Sequence, residues 1–257
     1  MFSAKVREKS IGMTRQMHML PVFLVTVLTF LAAAPKLWAI PPRFSQTTII
    51  IETNATAEDA GIQIFLDATG WKSLEIFDPN GKKIFNVSAG GSVAMTGVTE
   101  LFFESAEPSF EDLPLDQLLV RFPQGDYKFV GITVDGKKLT GNATLKHNIP
   151  AGPVIVSPTQ GAALNPNAPV VIDWDPVNDR FPGTALAVNI VGYQVIVERV
   201  KPEPLRVFSV NLGAAFTQVT VAAEFIEANA EYIFEVLAIE ASGNQTISEG
   251  SFTTTAP

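Results

Sequence analysis

Short apolar runs, interrupted by glycine, proline, asparagine and aspartate, fill most of the chain beyond residue 45. Apolar and polar positions alternate within many of these runs, which is the period of a β-strand with one buried face. The first half is predicted to form strands at Thr47–Glu52, Gly61–Ala68, Ser73–Phe77, Lys83–Val87, Val98–Glu104, Asp126–Val134 and Lys138–Lys146. The second half is predicted to form strands at Gly152–Ser157, Pro169–Trp174, Ile190–Arg199, Arg206–Val210, Thr217–Val221, Glu231–Ile239 and Ile247–Thr254. This spacing is typical of antiparallel β-sandwiches.

Turn residues support the strand pattern at two places. Asn80-Gly81 and Asp135-Gly136 accept the positive φ angles that tight hairpins need, so each pair should join neighbouring antiparallel strands. A single helix is predicted at Pro114–Phe122, where proline suits the first turn and leucines recur on one face. The helix is short and should close one end of a sandwich.

A segment rich in proline and glycine, "HNIPAGPVIVSPTQG" from His147 to Gly161, separates the two strand series. Prolines cannot donate ladder hydrogen bonds, so such a segment marks a boundary between domains. We therefore predict an N-terminal β-sandwich-like domain at residues 40–150 and a second domain at residues 151–257.

Three motifs in the second half carry a resemblance to a known family. "VVIDWDPV" around Trp174, "GYQVIVERV" around Tyr193 and "FIEANAEYIFEVLAIEASGNQ" around Tyr232 resemble the B, C and F strands of fibronectin type III domains, in that order. The family has a leucine six residues before the tyrosine and Pro-Gly between them. Here Ile226 takes the leucine position and Asn229 the glycine position, where asparagine tolerates a left-handed backbone. The resemblance covers Pro150 to the C-terminus and implies a fibronectin type III-like sandwich there, with roles in spacing or binding. The hairpins of the first half favour a second immunoglobulin-like sandwich, with a different β-sandwich as the alternative, so we expect an all-β chain of two tandem sandwiches.

The first half is similar to a different set of proteins. Its string "AGIQIFLDATGWKSLEIFDPNGKKI" and the segments that follow resemble exported bacterial proteins of uncharacterised function in which such a segment precedes a fibronectin-like domain. The similarity implies export and this order of modules, and it implies no activity.

The N-terminus has the pattern of an export signal. Basic residues precede an uncharged apolar run of about 16 residues, Met19–Ala34, and the segment ends at a small residue, Ala39. The run is shorter than the roughly 20 residues that span a bilayer. We predict a signal peptide at residues 1–39 and a secreted or periplasmic protein with no stable membrane span after cleavage. An uncleaved N-terminal anchor is the alternative, because Leu37 is large for its position before the cut.

Charge and cysteine content narrow the function classes. Residues 1–39 hold five of the 18 basic and one of the 26 acidic side chains, so the remaining chain carries 13 basic and 25 acidic residues, a formal net charge of −12. Such a chain repels nucleic acid and anionic lipid. The chain has no cysteine, so no disulfide supports the fold and no thiol acts as a nucleophile.

Acidic residues offer the main candidate chemistry. The segment "TELFFESAEPSFEDLPLD" places Glu100, Glu104 and Glu107 in and after a predicted strand, and we take them as candidate ligand contacts. A glycan hydrolase would need two such carboxylates facing one cleft at about 5 to 9 Å. A solvated strand face is the alternative interpretation. The one histidine beyond residue 39, His147, builds no histidine-rich zinc site.

Calcium is a candidate cofactor, because an exported acidic β-protein can supply six to eight oxygen ligands from its loops. Two loops are candidates, although neither has the twelve-residue calcium-loop pattern. They contain Glu52, Asn54, Glu58 and Asp59 in the first, and Asp173, Asp175 and Asp179 in the second.

Trp71 is the remaining candidate ligand contact, because the resemblance places Trp174 in a core and leaves Trp71 beside a predicted turn, where it is the one tryptophan that could be exposed; a buried anchor is the alternative. Together these features predict an exported, non-catalytic binding or spacer protein of the bacterial cell envelope or exterior, with recognition mainly through the N-terminal module. Its partner would be a protein or a glycan. The alternative is a carboxylate-based glycan hydrolase with an accessory fibronectin-like domain.

Overall fold

The computed structural model describes residues 42–256, so the predicted signal segment at residues 1–39 lies outside the described residues. The described chain is built from strands, with two short α-helices and one 3-10 turn at Ala223–Phe225. The strands are β1 (Gln46–Asn54), β2 (Asp59–Phe77), β3 (Lys83–Ser88), β4 (Val98–Glu104), β5 (Gly125–Thr133), β6 (Lys138–Leu145), β7 (Ile155–Ser157), β8 (Ala162–Leu164), β9 (Val171–Trp174), β10 (Asp179–Arg180), β11 (Thr184–Ala187), β12 (Ile190–Lys201), β13 (Arg206–Gly213), β14 (Gln218–Thr220), β15 (Glu231–Glu240) and β16 (Gln245–Thr254). The helices are α1 (Gly91–Thr96) and α2 (Leu115–Arg121).

The second half forms a sandwich of two sheets. One sheet has the order β14-β9-β7, and the facing strands have the order β13-β12-β15-β16. These strands coincide with the series predicted for this half to within a few residues, and the short β8 adds a parallel pairing to β16. The β10–β11 hairpin lies in the connection between β9 and β12. The predicted all-β sandwich is confirmed.

Aromatic side chains fill the core between these two sheets. Trp174 is 1% exposed and packs against Tyr193 with ring centroids 5.2 Å apart. Tyr232 stacks on Phe252 at 4.6 Å. Alternation along β15 places Phe234 on the same buried face as Tyr232, because residues two apart in a strand share a face.

The hydroxyl of Tyr232 stabilises the turn before β15. That oxygen accepts a hydrogen bond from the backbone N–H of Glu227 at 2.7 Å, which is the arrangement called a tyrosine corner. Asn229 has φ 53°, the left-handed conformation predicted for this position. The substitution of asparagine for the family's glycine therefore keeps the turn.

The first half departs from the predicted strand list at β2. Two separate strands, Gly61–Ala68 and Ser73–Phe77, were expected on either side of a turn at Gly70, but a single strand of 19 residues runs through both. Register shifts at residues 67–73 mark bulges, which bend a strand without ending it. The predicted break is therefore a bend within one strand.

The bend lets β2 serve both layers of the N-terminal sandwich. Its first part pairs with β1 and β4, and its second part pairs with β3 and β5. Phe85 of β3 and Phe103 of β4 stack with centroids 4.4 Å apart, so the two layers meet across a shared core. Helix α2 lies at one end, as predicted, and His147 Nε2 lies 2.9 Å from the carbonyl oxygen of Phe122 at its C-terminus.

Pairing of β1 with β16 joins the two halves into one sheet. The pairing is parallel, with Glu52 opposite Gln245 and Asn54 opposite Ile247, and it produces an 11-stranded sheet that runs through both sandwiches. Asn244 lies at the centre of the junction and is 1% exposed. Its Oδ1 accepts from the backbone N–H of Ile51 at 2.9 Å.

Further contacts hold the junction together. The Asn244 amide donates to the carbonyl oxygens of Lys146 at 2.7 Å and Asn148 at 3.1 Å. The hydroxyl of Thr246 donates to the carbonyl of Pro150 at 2.6 Å. The two hydrophobic cores lie on either side of this junction. The boundary predicted at residue 150 stays a prediction, because the cores separate there while the sheet is continuous.

Candidate functional site

Three carboxylates come together on the outer face of the sheet near the junction. Oxygens of Glu52, Glu104 and Glu107 lie within 4.8 Å of one another. Strand register explains the convergence: Glu52 lies opposite Gly61 on β2, and Glu104 lies opposite the nearby Gln63. Residues of one register row share a face of the sheet, so these acids project on the same side. We call these three residues the carboxylate cluster.

Glycine at position 61 provides the space for the third member. A Cβ atom there would lie 2.8 Å from Cγ of Glu107, which is closer than side-chain contacts allow. The loop after β4 therefore folds its glutamate down onto the strand. The N–H of Ile62 donates to the hydroxyl of Ser105 at 2.9 Å and fixes the start of that loop.

The carboxylate cluster accepts hydrogen bonds from two neutral side-chain amides. The Gln245 side chain donates to Glu52, and that of Gln63 donates to Glu104 at 2.9 Å. Among residues 42–256, the five ion pairs all lie elsewhere. The cluster therefore keeps its negative charge uncompensated by a lysine or arginine.

Burial and mutual repulsion favour protonation of the cluster. Burial, followed by the charges of Glu104, Glu52 and Asp59, raises the pKa of Glu107 to about 7. Burial also raises the pKa of Glu52, with the nearby charge of Glu104 acting in the same direction. A cationic group placed among these carboxylates would relieve both effects.

The acidic surface extends across the junction from the carboxylate cluster. Burial and then the charge of Glu249 raise the pKa of Asp59, and the same two causes, with Glu198, raise the pKa of Glu235. Asn54 donates to Glu249 at 2.5 Å and links β1 to β16 within this surface. The surface thus depends on the pairing of the two strands.

A groove adjoins the cluster on the side of α2. Its volume is ≈ 440 Å³, and it is lined by Ser105, Ala106, Glu107, Pro108, Leu113, Leu118, Arg121 and Phe122. Leu113 and Leu118 form part of a small buried core with Ala60 and give the groove an apolar floor. Glu107 belongs to both the cluster and the groove. We call this feature the Glu107 groove.

The first predicted calcium loop is only partly assembled. Glu52 and Asp59 lie on the acidic surface, whereas Glu58 is exposed at the turn with φ 57°. The Asn54 side-chain oxygen accepts from the N–H groups of Thr56 and Ala57, each at 2.9 Å, and so stabilises the turn. Glu52 and Asp59 together carry four carboxylate oxygens, fewer than the six to eight oxygens that calcium takes. The calcium site stays a prediction, which a calcium-dependent rise in melting temperature would test.

The second predicted calcium loop is spread along the chain. Asp173 lies in β9 opposite Gln218, and Asp179 pairs with Ala187 in the β10–β11 hairpin. Asp175 is exposed between them, and its N–H donates to the carbonyl of Val154. Within residues 42–256 these aspartates do not form a group with metal-ligand spacing.

Two of the predicted ligand contacts lie away from the cluster. Glu100 is on the same strand as Glu104 but pairs with Asp67, four residues away, which is two repeats of the pleat. Of the two alternatives for Trp71, the exposed ligand contact is wrong and the buried anchor is correct, because its side chain is 2% exposed. Trp71 lies in the bend of β2, between Val98 of β4 and Thr133 of β5. The strand that was expected to end at Ala68 continues through Trp71 and places the indole in the core.

The strand order of the second half decides its architecture. A three-stranded sheet faces a four-stranded one, and Trp174, Tyr193 and Tyr232 lie in the core between them, as the family resemblance implied. The C-terminal half has a fibronectin type III-like fold.

The chain aligns at low sequence identity with solved fibronectin type III structures. No protein-family model and no curated protein matches the chain. The fibronectin(III)-like modules of Clostridium thermocellum CbhA align over 83% of this chain and 93% of that one, with 10% identity and a TM-score of 0.33. A two-domain fibronectin type III segment of chicken tenascin aligns over 83% and 99%, with 12% identity and a TM-score of 0.28. The fn3 domain of the human collagen alpha-1(XX) chain aligns over 44% and 90%, with 18% identity and a TM-score of 0.30.

Proposed function

We propose that the chain is an exported, non-catalytic binding or spacer protein of the bacterial cell envelope or exterior, which recognises its partner mainly through the N-terminal module. One observation carries the proposal. The prominent aromatic residues of the second half are buried in its core, whereas the carboxylate cluster and the Glu107 groove lie on the first half. Binding residues usually sit on surface loops of a rigid β-scaffold, as the loop after β4 does.

The groove and cluster together suit a protein segment with a basic group beside an apolar side chain. The apolar floor formed by Leu113 and Leu118 would bury the apolar side chain. The uncompensated carboxylates would receive the lysine or arginine, a charge-assisted contact. A neutral glycan fits less well, because the buried Trp71 offers no stacking surface.

The continuous sheet supports a spacer role for the second half. Because β16 pairs with β1, the fibronectin-like sandwich holds the N-terminal module in a fixed orientation. No helix within residues 42–256 has the length and apolar character needed to cross a membrane.

A matched pair of variants tests the site. The chain from Ile40 onward, immobilised and exposed to a cell-envelope extract of the source organism, should capture a defined partner. The double variant Glu104→Gln/Glu107→Gln should reduce that capture at least about tenfold, equivalent to about 1.4 kcal/mol. The control Glu203→Gln/Glu224→Gln removes the same charge from exposed positions of the second half and should capture normally. Equal capture by all three chains would contradict recognition through the cluster.

Export is tested separately. In cells of the source organism, the protein should appear in the periplasm or medium with an N-terminus at Ile40. A cell-associated protein that retains Met1 would contradict export and favour the uncleaved anchor.

A glycan hydrolase is the second candidate, and one observation favours it. A carboxyl whose pKa is about 7, beside a second carboxyl, is the arrangement that supplies a general acid and an ionised partner. The geometry argues against it, because Glu52 is 8% exposed and the groove contains Glu107 without either partner. Hydrolysis of a panel of envelope glycans by the wild-type chain, abolished in Glu107→Gln, would replace the binding proposal.

A further inference from the structure

The outer edge of the fibronectin-like sandwich is formed by β13. Within the described residues β13 pairs with β12 alone, through a register that runs from Gly192 opposite Gly213 to Arg199 opposite Arg206. Alternate residues of such an edge strand direct their N–H and C=O groups away from the sheet. The outward N–H and C=O groups of every second residue in this eight-residue strand are therefore available for pairing.

Natural proteins usually protect such edges with short strands, lysine, proline or a covering segment. Most other edges in residues 42–256 show these devices, whereas the seven-residue β4, which pairs with β2 alone, carries the charges of Glu100 and Glu104. The edge of β6 is covered by the N-terminal segment, whose Phe44 N–H donates to Thr140 and whose Thr47 hydroxyl donates to Asn142. β3 begins at a lysine, and β7, β8 and β14 have three residues each. β13 contains no proline or lysine, and Arg206 at its start is its single charge.

The surroundings of β13 are locally neutral, although the chain as a whole is acidic. Arg206 pairs with Glu227 at 2.7 Å, and Arg199 pairs with the same carboxylate. Lys201 pairs with Glu231 at 2.9 Å. The carboxylate cluster lies near the module junction instead. Two copies of this acidic chain can therefore approach each other at β13 with little charge repulsion.

We propose that β13 is a self-association edge, at which a second copy of this chain adds its own β13 in antiparallel orientation and extends the sheet across a two-fold axis. The faces of the strand fit this arrangement. Phe208, Val210 and Leu212 are half-buried toward the core, whereas Val207 and Ser209 are exposed on the outer face. If the core-facing residues of one copy lie opposite the core-facing residues of the other, even-numbered residues pair with even-numbered ones. The two-fold axis then passes through a residue, and the middle residues of β13 are Ser209 and Val210. Such an isologous contact closes on itself and gives a dimer.

Sedimentation of the chain from Ile40 onward tests the dimer. The wild-type protein should pass from monomer to dimer between about 1 μM and 1 mM. Ser209→Lys places a lysine on the exposed face of the edge and should raise the dimer dissociation constant at least about tenfold. Ser88→Lys, at an exposed position of β3, should leave it unchanged. Wild-type protein that stays monomeric throughout, or an unchanged dissociation constant in a folded Ser209→Lys chain, would overturn the proposal.

Absence of native cysteine permits a direct geometric test. If the axis passes through Ser209, a Ser209→Cys chain should form an intermolecular disulfide under mild oxidation, because residues opposite each other lie within bonding reach. If it passes through Val210, an equimolar mixture of Ser209→Cys and Asn211→Cys chains should form the mixed disulfide. Cross-linking in neither experiment faster than with Ser88→Cys would overturn the proposal.

Discussion

Asn244 should be the most sensitive polar residue of the junction, and Asn244→Ala is the perturbation that tests this. The side chain is 1% exposed and makes three hydrogen bonds, to the Ile51 N–H and to the carbonyl oxygens of Lys146 and Asn148. Alanine would leave one donor and two acceptors without their partner. An unsatisfied buried group costs about 1–3 kcal/mol, and entry of water into the vacated space would reduce the sum. We expect a loss of roughly 3 kcal/mol in the free energy of unfolding.

Chemical denaturation of the chain from Ile40 onward measures this loss directly. The equivalent change in melting temperature is about 2–4 °C per kcal/mol for a chain of this size, so a fall of roughly 6–12 °C is expected. Asn86→Ala is the matched control, because Asn86 is exposed in β3 and should change stability by less than about 0.5 kcal/mol. Equal stabilities for Asn244→Ala and Asn86→Ala would refute the reasoning that the junction is a buried, hydrogen-bonded interface.

Three further outcomes are expected from unfolding measurements. Trp71→Ala should lower stability by about 3–5 kcal/mol because the indole is buried, and an unchanged midpoint would mean that the ring is exposed. Tyr232→Phe should lower it by about 1–2 kcal/mol by leaving the Glu227 N–H without its acceptor, and no loss would contradict the tyrosine corner. Because the pKa of Glu107 is raised from 4.5 to about 7, the folded state holds a proton that the unfolded state releases between these values, so stability should fall as pH rises through this window. Solvent screening of this exposed side chain limits its contribution to about 1 kcal/mol. Glu107→Gln should flatten the dependence of stability on pH in this window. An unaltered pH dependence in this variant would contradict the raised pKa.

Local sequence patterns were sufficient for most of the strands. Apolar alternation predicted β12 and β15 closely, because both strands have one face in the core and one face outside. The left-handed Asn229 could also be predicted, because that conformation is a property of the residue and its turn.

Features that depend on pairing between strands far apart in the sequence could not be predicted from local patterns. Gly70 looks like a turn residue, yet β2 passes through it because β4 and β5 pair with β2 on both sides of the bend. Burial of Trp71 follows from that bend. No local pattern indicates which strand in the second half will pair with β1.

In the candidate site, the individual acidic residues could be predicted from the sequence, whereas their convergence could not. Glu52 was predicted as part of one acidic loop, and Glu104 and Glu107 as part of another segment. Their convergence depends on the register of β1 against β2 and of β2 against β4. The space that Gly61 leaves for Glu107 has no signal in the sequence, because a glycine within a strand is more often a sign of a bulge.

Amide hydrogen exchange at the junction tests the central claim most directly, namely that one continuous sheet holds the N-terminal module rigidly on the fibronectin-like sandwich. The Ala55 N–H donates to the Ile247 carbonyl at 2.8 Å, and the Ile51 N–H donates to Asn244, so both amides are bonded across the junction. Residue-resolved exchange measured by NMR on the chain from Ile40 onward should show both amides slowed at least about 100-fold relative to an unstructured chain. Exchange of both amides at the unstructured rate, while amides bonded between β1 and β2 stay protected, would contradict the account and describe two sandwiches joined only by a flexible linker.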